Sequence, residues 1–203
     1  MKEYLTVDGE ARIEYEINKS VFIGAVKNIS CFEEGIEFVK AERKRYSDAT
    51  HVCYAFRLIN NEQKFSDDGE PGGTAGQPIL QVLKNKDINN AVISVTRYFG
   101  GIKLGAGGLV SAYTESAARA LDKAKIVRMK LVSVGDVTVS YSESQSLLSK
   151  FQSALIAVTD ISYGAEVTIG FGAGNTEQAE AIVADATSGR TKPVWKGQSY
   201  IKE

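Results

Sequence analysis

Between Ala91 and Ala124 the chain reads AVISVTRYFGGIKLGAGGLVSAYTESAARALDKA, and no other stretch of its 203 residues constrains the fold so tightly. Ala91, Val92, Ile93 and Val95, followed by Tyr98 and Phe99, have the β-branched and aromatic content of a buried strand. Gly100, Gly101, Gly105, Gly107 and Gly108 then fall within nine residues. Leu109, Tyr113, Ala117, Ala120, Leu121 and Ala124 recur at helical spacing, with Glu115 and Arg119 paired four apart on the other face. A strand, a glycine loop and a helix start therefore meet at one place. Glycines at this density imply positive φ values, close packing, or a partner that approaches too closely for a Cβ.

No Ser, Thr, Asp or Asn lies between Gly100 and Val110, so the first N–H groups of the helix have no local side-chain acceptor. Such a terminus suits an anion, and Arg97 and Lys103 flank it in sequence. The known nucleotide loops fail on register. A dinucleotide fingerprint laid on Gly105 and Gly107 needs Gly or Ala where Val110 stands, and a P-loop laid on Gly100 and Gly105 needs Lys where Ala106 stands.

A second unusual stretch, SDDGEPGGTAGQP, spans Ser66 to Pro78. Asp67, Asp68 and Glu70 offer oxygen ligands to a divalent cation. Their spacing is not that of an EF-hand, and Asp-Asp-Gly also suits a turn, so no metal site is expected. Thr74 with Gln77 predicts a capping box for a helix to about Lys86. The single histidine, His51, stands beside no cysteine cluster and reads as a structural group.

The remaining pattern gives the organisation. Strands over Ala11–Ile17 and Val21–Ile29 form a hairpin around Asn18 to Ser20. Ser30 with Glu33 predicts a cap for a helix to about Tyr46, whose ERKR end is expected to be solvated. HVCYAFRLI and QKFS are strands, separated by Asn60 and Asn61. The composition changes near Ile126 to Lys130. Beyond it come a long strand, RMKLVSVGDVTVSY, a helix capped by Ser142 and Gln145, and a hairpin through Gly164. A helix capped by Asn175 and Gln178 and a closing edge strand after Pro193 complete the order. This is βαββαβ, the ferredoxin-like signature. Two domains, 1–127 and 128–203, are expected.

Hydrophobic content of 43% and charged content of 24% are those of a globular protein. No run approaches a membrane span, and the N-terminus has no apolar signal region, so a cytoplasmic monomer without a membrane partner is expected. The net charge of −1 argues against broad nucleic-acid binding and gives no sign of sequence-specific DNA recognition. RNA contact would need a local patch. No nucleophile, histidine dyad or cofactor motif stands beside the acids. A metal-assisted hydrolase using Asp67, Asp68 and Glu70 is therefore the alternative reading, as is a protein-interaction module, and no cofactor is expected.

The two motif stretches together resemble the signature of the IMPACT/YigZ family of translation-linked proteins, over essentially the whole chain. Asp67, Asp68, Gly69, Glu70, Pro71, Gly73, Thr74 and Gly76 match its first motif. Arg97, Tyr98, Gly100, Gly101, Leu104, Gly105, Gly107 and Gly108 match its second. The resemblance implies an α+β chain: a ribosomal protein S5 domain 2-like N-terminal domain, then a ferredoxin-like domain, as in domains IV and V of elongation factor G. It implies a noncatalytic factor in the regulation of translation that contacts the ribosome, RNA or a translation protein. Eukaryotic members carry a further N-terminal domain and compete for the activator of a starvation-responsive kinase. This sequence is similar to the shorter bacterial branch, so that competition is not carried over.

Overall fold

The structure, a computed structural model, describes residues 2–203. Residues 4–128 make one unit, and 129–203 with Lys2 and Glu3 make another. The first contains β1 (Glu3–Val7), β2 (Glu10–Ile17), β3 (Ser20–Asn28), α1 (Phe32–Arg45), β4 (His51–Arg57), β5 (Gln63–Ser66), α2 (Gly76–Asn85), β6 (Ala91–Tyr98) and α3 (Gly105–Lys123). Its sheet runs β2-β3-β6-β4-β5, and every neighbouring pair is antiparallel.

The apolar strand β6 lies at the centre, buried on both faces. Ile93 and Val95 face α2 and α3 with Phe22, Val26, Cys53, Tyr113 and Leu121. Val92 faces the other way, into a cluster with Phe38, Val39, Tyr54 and Phe56 under α1. This two-sided burial explains why β6 reads as a continuous apolar run rather than an alternation. The β2–β3 hairpin turns through Asn18 at φ 47° and Lys19 at φ 63°, the positive pair of a tight primed turn.

The second unit contains β7 (Ile126–Val139), α4 (Tyr141–Ser153), β8 (Ala157–Tyr163), β9 (Val167–Ala173), α5 (Thr176–Thr187) and β10 (Val194–Lys202). Its strands run β10-β7-β9-β8, all antiparallel, so β10 after Pro193 is an edge. The N–H of Leu131 donates to the carbonyl of Lys2. Val137, Leu147, Phe151, Ile169, Phe171, Ala179 and Val183 form the core. The chain is thus α+β throughout.

Several caps differ from expectation. Asn175 does cap α5, accepting from the N–H of Gln178. The Ser142–Gln145 cap is replaced by Ser140, whose N–H and hydroxyl both donate to Glu143, holding that carboxyl below its ordinary value. At α1 the Ser30–Glu33 box does not form; Cys31 is the cap residue, and Glu34 accepts from the N–H of Ser30. The ERKR end is not wholly solvated, because Glu42 is buried and accepts two hydrogen bonds from Arg12 at 2.5 and 2.6 Å. The Thr74–Gln77 box is also absent.

Candidate functional site

The first motif begins as a turn. Asp68 and Gly69 take φ values of 46° and 86°, and the N–H of Glu70 donates to the carbonyl of Asp67 at 2.9 Å. Positive φ at both central residues explains Asp-Gly here. The turn places three carboxylates in three different environments.

Asp67 supplies the missing cap of α2. Its Oδ1 accepts from the N–H groups of Ala75 and Gly76 at 3.0 and 2.8 Å, and its Oδ2 from Gly73 at 2.9 Å. Burial pushes this carboxyl up, but the three backbone donors outweigh it and hold it below its ordinary value. Thr74 instead donates its hydroxyl to the carbonyl of Pro71. Gly76 has no room for a side chain, since a Cβ would lie 2.7 Å from the backbone of Ser66.

Asp68 accepts from the N–H of Val52 and from Arg43 of α1. Its carbonyl sits 2.7 Å from Nδ1 of His51, so Nδ1 carries the proton. His51 is thus hydrogen-bonded to the turn of the first motif.

Glu70 is buried at 8% exposure, and its Oε1 receives Arg97 Nη1 and the Tyr113 hydroxyl, each at 2.7 Å. Nε2 of His51 stands 3.9 Å away. Beside them, Cys53 donates its thiol to the carbonyl of Asp67, and burial pushes that thiol up to about 12. Burial raises Tyr113 as well. One acid from the first motif is therefore bonded to one base from the second, underneath α3. Both residues stand in the sequence patterns, but nothing local in them pairs Glu70 with Arg97.

Arg97 is only 5% exposed, so it is a buried lock rather than a surface cation beside the helix. Its guanidinium lies 5.5 Å from the ring of Phe22 and 5.4 Å from that of Phe99, and Nη2 reaches Ser20 Oγ. Ser20 Oγ also accepts from the N–H of Gly100. Tyr98 donates to Asp48, which raises its phenol. Phe99 is 47% exposed, against the expectation from its type that it belongs to the core.

The glycines divide by physical role. Gly100 is required by contact, since its Cβ would lie 2.0 Å from the Lys19 carbonyl; Gly101 and Gly105 are required by φ values of 83° and 69°. At Gly108 a Cβ would come within 3.0 Å of Leu104. Gly107 has neither a positive φ nor any neighbour within 4 Å. Because α3 begins at Gly105, three of the five glycines form its first turn rather than the loop. The cap residue is Leu104, no side chain caps the helix, and the first turn holds no acid. Gly105, Ala106 and Gly107 are exposed, as is Lys103.

Among the described residues, no group of three His, Cys, Asp or Glu side chains is placed to hold a metal ion. No helix among them is long and apolar enough to cross a membrane.

An antiparallel α+β unit with two glycine-rich loops, locked together by a buried acid–base pair, defines the class of protein. The Impact N-terminal domain family matches residues 18–121, which include both loops. The chain belongs to the IMPACT family. It is similar to the IMPACT family member YvyE of Bacillus subtilis, with 37% identity over 169 residues, covering 82% of this chain and 78% of that protein. It is 38% identical over 125 residues to the IMPACT family member YigZ of Escherichia coli, covering 60% of this chain and 61% of that one. The chain thus spans about three fifths of YigZ. A solved structure, described as the crystal structure of an hypothetical protein, is 28% identical with a TM-score of 0.66, covering 96% of this chain and 97% of that one.

Proposed function

We propose that this chain is an accessory factor in the regulation of translation, acting in the cytoplasm without catalysis, and that the start of α3 docks on the ribosome or its RNA. The observation that carries the reading is the exposed first turn of α3. It holds three accessible residues, no side-chain cap, no acid and an exposed lysine one residue before the cap position. Its backbone N–H groups and dipole favour a phosphate. Gly107 adds to this, because nothing in the fold itself requires that position to lack a side chain.

The two units are read as separate domains, the first S5 domain 2-like and the second ferredoxin-like. The βαββαβ order and the strand sequence β10-β7-β9-β8 support the second assignment. The pairing of such folds in elongation factor G domains IV and V gives the reading its ribosomal direction. The hydrolase reading loses ground because Asp67, Asp68 and Glu70 are each held by protein donors.

Co-sedimentation with ribosomes at two salt concentrations tests this. Lys103→Ala is expected to weaken binding and to lower the log–log salt slope by about one, as one phosphate contact is lost. Affinity and slope both equal to the native chain would remove Lys103 and the helix start from the docking surface.

A further inference from the structure

We infer that Phe99 is a stacking platform for an unpaired base of single-stranded RNA, an inference that rests on the docking reading and names its ligand. The phenyl ring of Phe99 is 47% exposed just beyond the end of the central strand. It is also held in place. One side of the ring meets the buried Arg97 guanidinium, whose carbon lies 5.4 Å from the ring centre. Arg97 is fixed in turn by Glu70 at 2.7 Å, by Ser20 Oγ and against the buried ring of Phe22. The backbone is pinned on both sides of the ring. The N–H of Phe99 donates to Thr50 Oγ1 at 3.1 Å, and that of Gly100 to Ser20 Oγ at 3.1 Å. The rest of the ring is presented to solvent at little further conformational cost.

The surroundings select the partner. Between Glu70 and Glu115 the sequence contains a single acid, Asp87, against Lys84, Lys86, Arg97 and Lys103. Asp87 is engaged by Arg57 at the end of β4 opposite His51, the far end of the strand from this loop. A base on Phe99 therefore brings its phosphates towards Lys103 and the N–H groups at the start of α3, while Asp48, the acid beside this loop, is engaged by the Tyr98 hydroxyl at 2.8 Å. A flat aromatic face beside an anion-favouring terminus is the pairing that single-stranded nucleic acid uses, with bases stacked and the backbone held by charge. An apolar peptide would use the ring but not the helix start.

The test uses the full chain with an oligouridylate and an oligoadenylate as probes. Phe99→Tyr keeps the aromatic face, whereas Phe99→Leu keeps apolar bulk without it; melting temperatures establish that both remain folded. Phe99→Leu is expected to weaken binding about tenfold and Phe99→Tyr to leave it near native, the range of one base stack. In Phe99→Trp the added indole emission, read against the native chain whose one tryptophan is Trp195, is expected to be quenched by the oligonucleotide. Equal affinity of the Leu and native proteins, with no quenching in Phe99→Trp, overturns the stacking. If Lys103→Ala still weakens ribosome binding in that case, docking through the helix start survives without it. Ribosome binding that depends on Phe99 while neither oligonucleotide binds would overturn RNA as the partner in favour of a protein.

Discussion

Removing either half of the Glu70–Arg97 pair leaves the other charge buried, because the two side chains are only 3% and 6% exposed. Glu70→Ala is expected to cost about 3–5 kcal/mol in urea denaturation, where a surface pair would cost under about 1 kcal/mol. For the same reason Arg97→Ala reports on stability rather than on ligand contact. A loss below about 1 kcal/mol in either variant would mean that the pair is solvated. Asp67 acts differently, through three backbone donors. Its folded value lies below the ordinary one, so its contribution is complete above the unfolded value and is lost as pH falls through the folded one. Asp67→Asn is expected to lower stability by about 1–2 kcal/mol at pH 7, the scale of a lost cap. That gap should narrow as pH falls below about 4, where the carboxyl of the unfolded chain begins to take up its proton, and close as pH falls through the lower folded value. Urea curves for both proteins at pH 7 and pH 3 decide it, and a gap independent of pH would show that the carboxylate charge is not responsible.

The glycines of α3 separate folding from binding within one helical turn. Gly107 is exposed, helical and without a neighbour within 4 Å. Gly107→Ala should therefore stabilise the fold by about 0.4–1 kcal/mol, by reducing the freedom of the unfolded chain, while weakening ribosome binding. Gly105 has φ +69°, so Gly105→Ala should instead lose about 1 kcal/mol or more to backbone strain. Paired melting and co-sedimentation measurements distinguish the two, and a destabilised Gly107→Ala would mean that this glycine serves packing. The same turn shows what local pattern reading could and could not reach. Glycine density, the missing polar cap and the amphipathic face were all visible. The point where the helix begins was not, since Gly105 to Gly108 have weak propensity and it is packing of Leu109, Tyr113 and Ala117 that draws the first turn into α3.

At the scale of the whole chain, residues 4–128 have their own sheet and two-sided core, and we propose that they fold alone. Expressed as a fragment they should give one cooperative thermal transition, and a broad, probe-dependent loss of structure would count against an independent domain. The order of elements from β2 onward, the hairpins and the α+β class follow from the sequence, because alternation, turn residues and helical spacing are properties of neighbours along the chain; β1 was not read from it. The family follows as well, since both of its motifs are contiguous. Tertiary structure alone decided the rest. Asp67 caps a helix that begins nine residues later, Glu42 is buried by Arg12 thirty residues away, and Glu70 meets Arg97 across twenty-seven. Each of these contacts is made by loops and strands that become neighbours only when the sheet forms. For that reason an apparently exposed arginine became a buried lock, and a phenylalanine of core type was left in solvent above it.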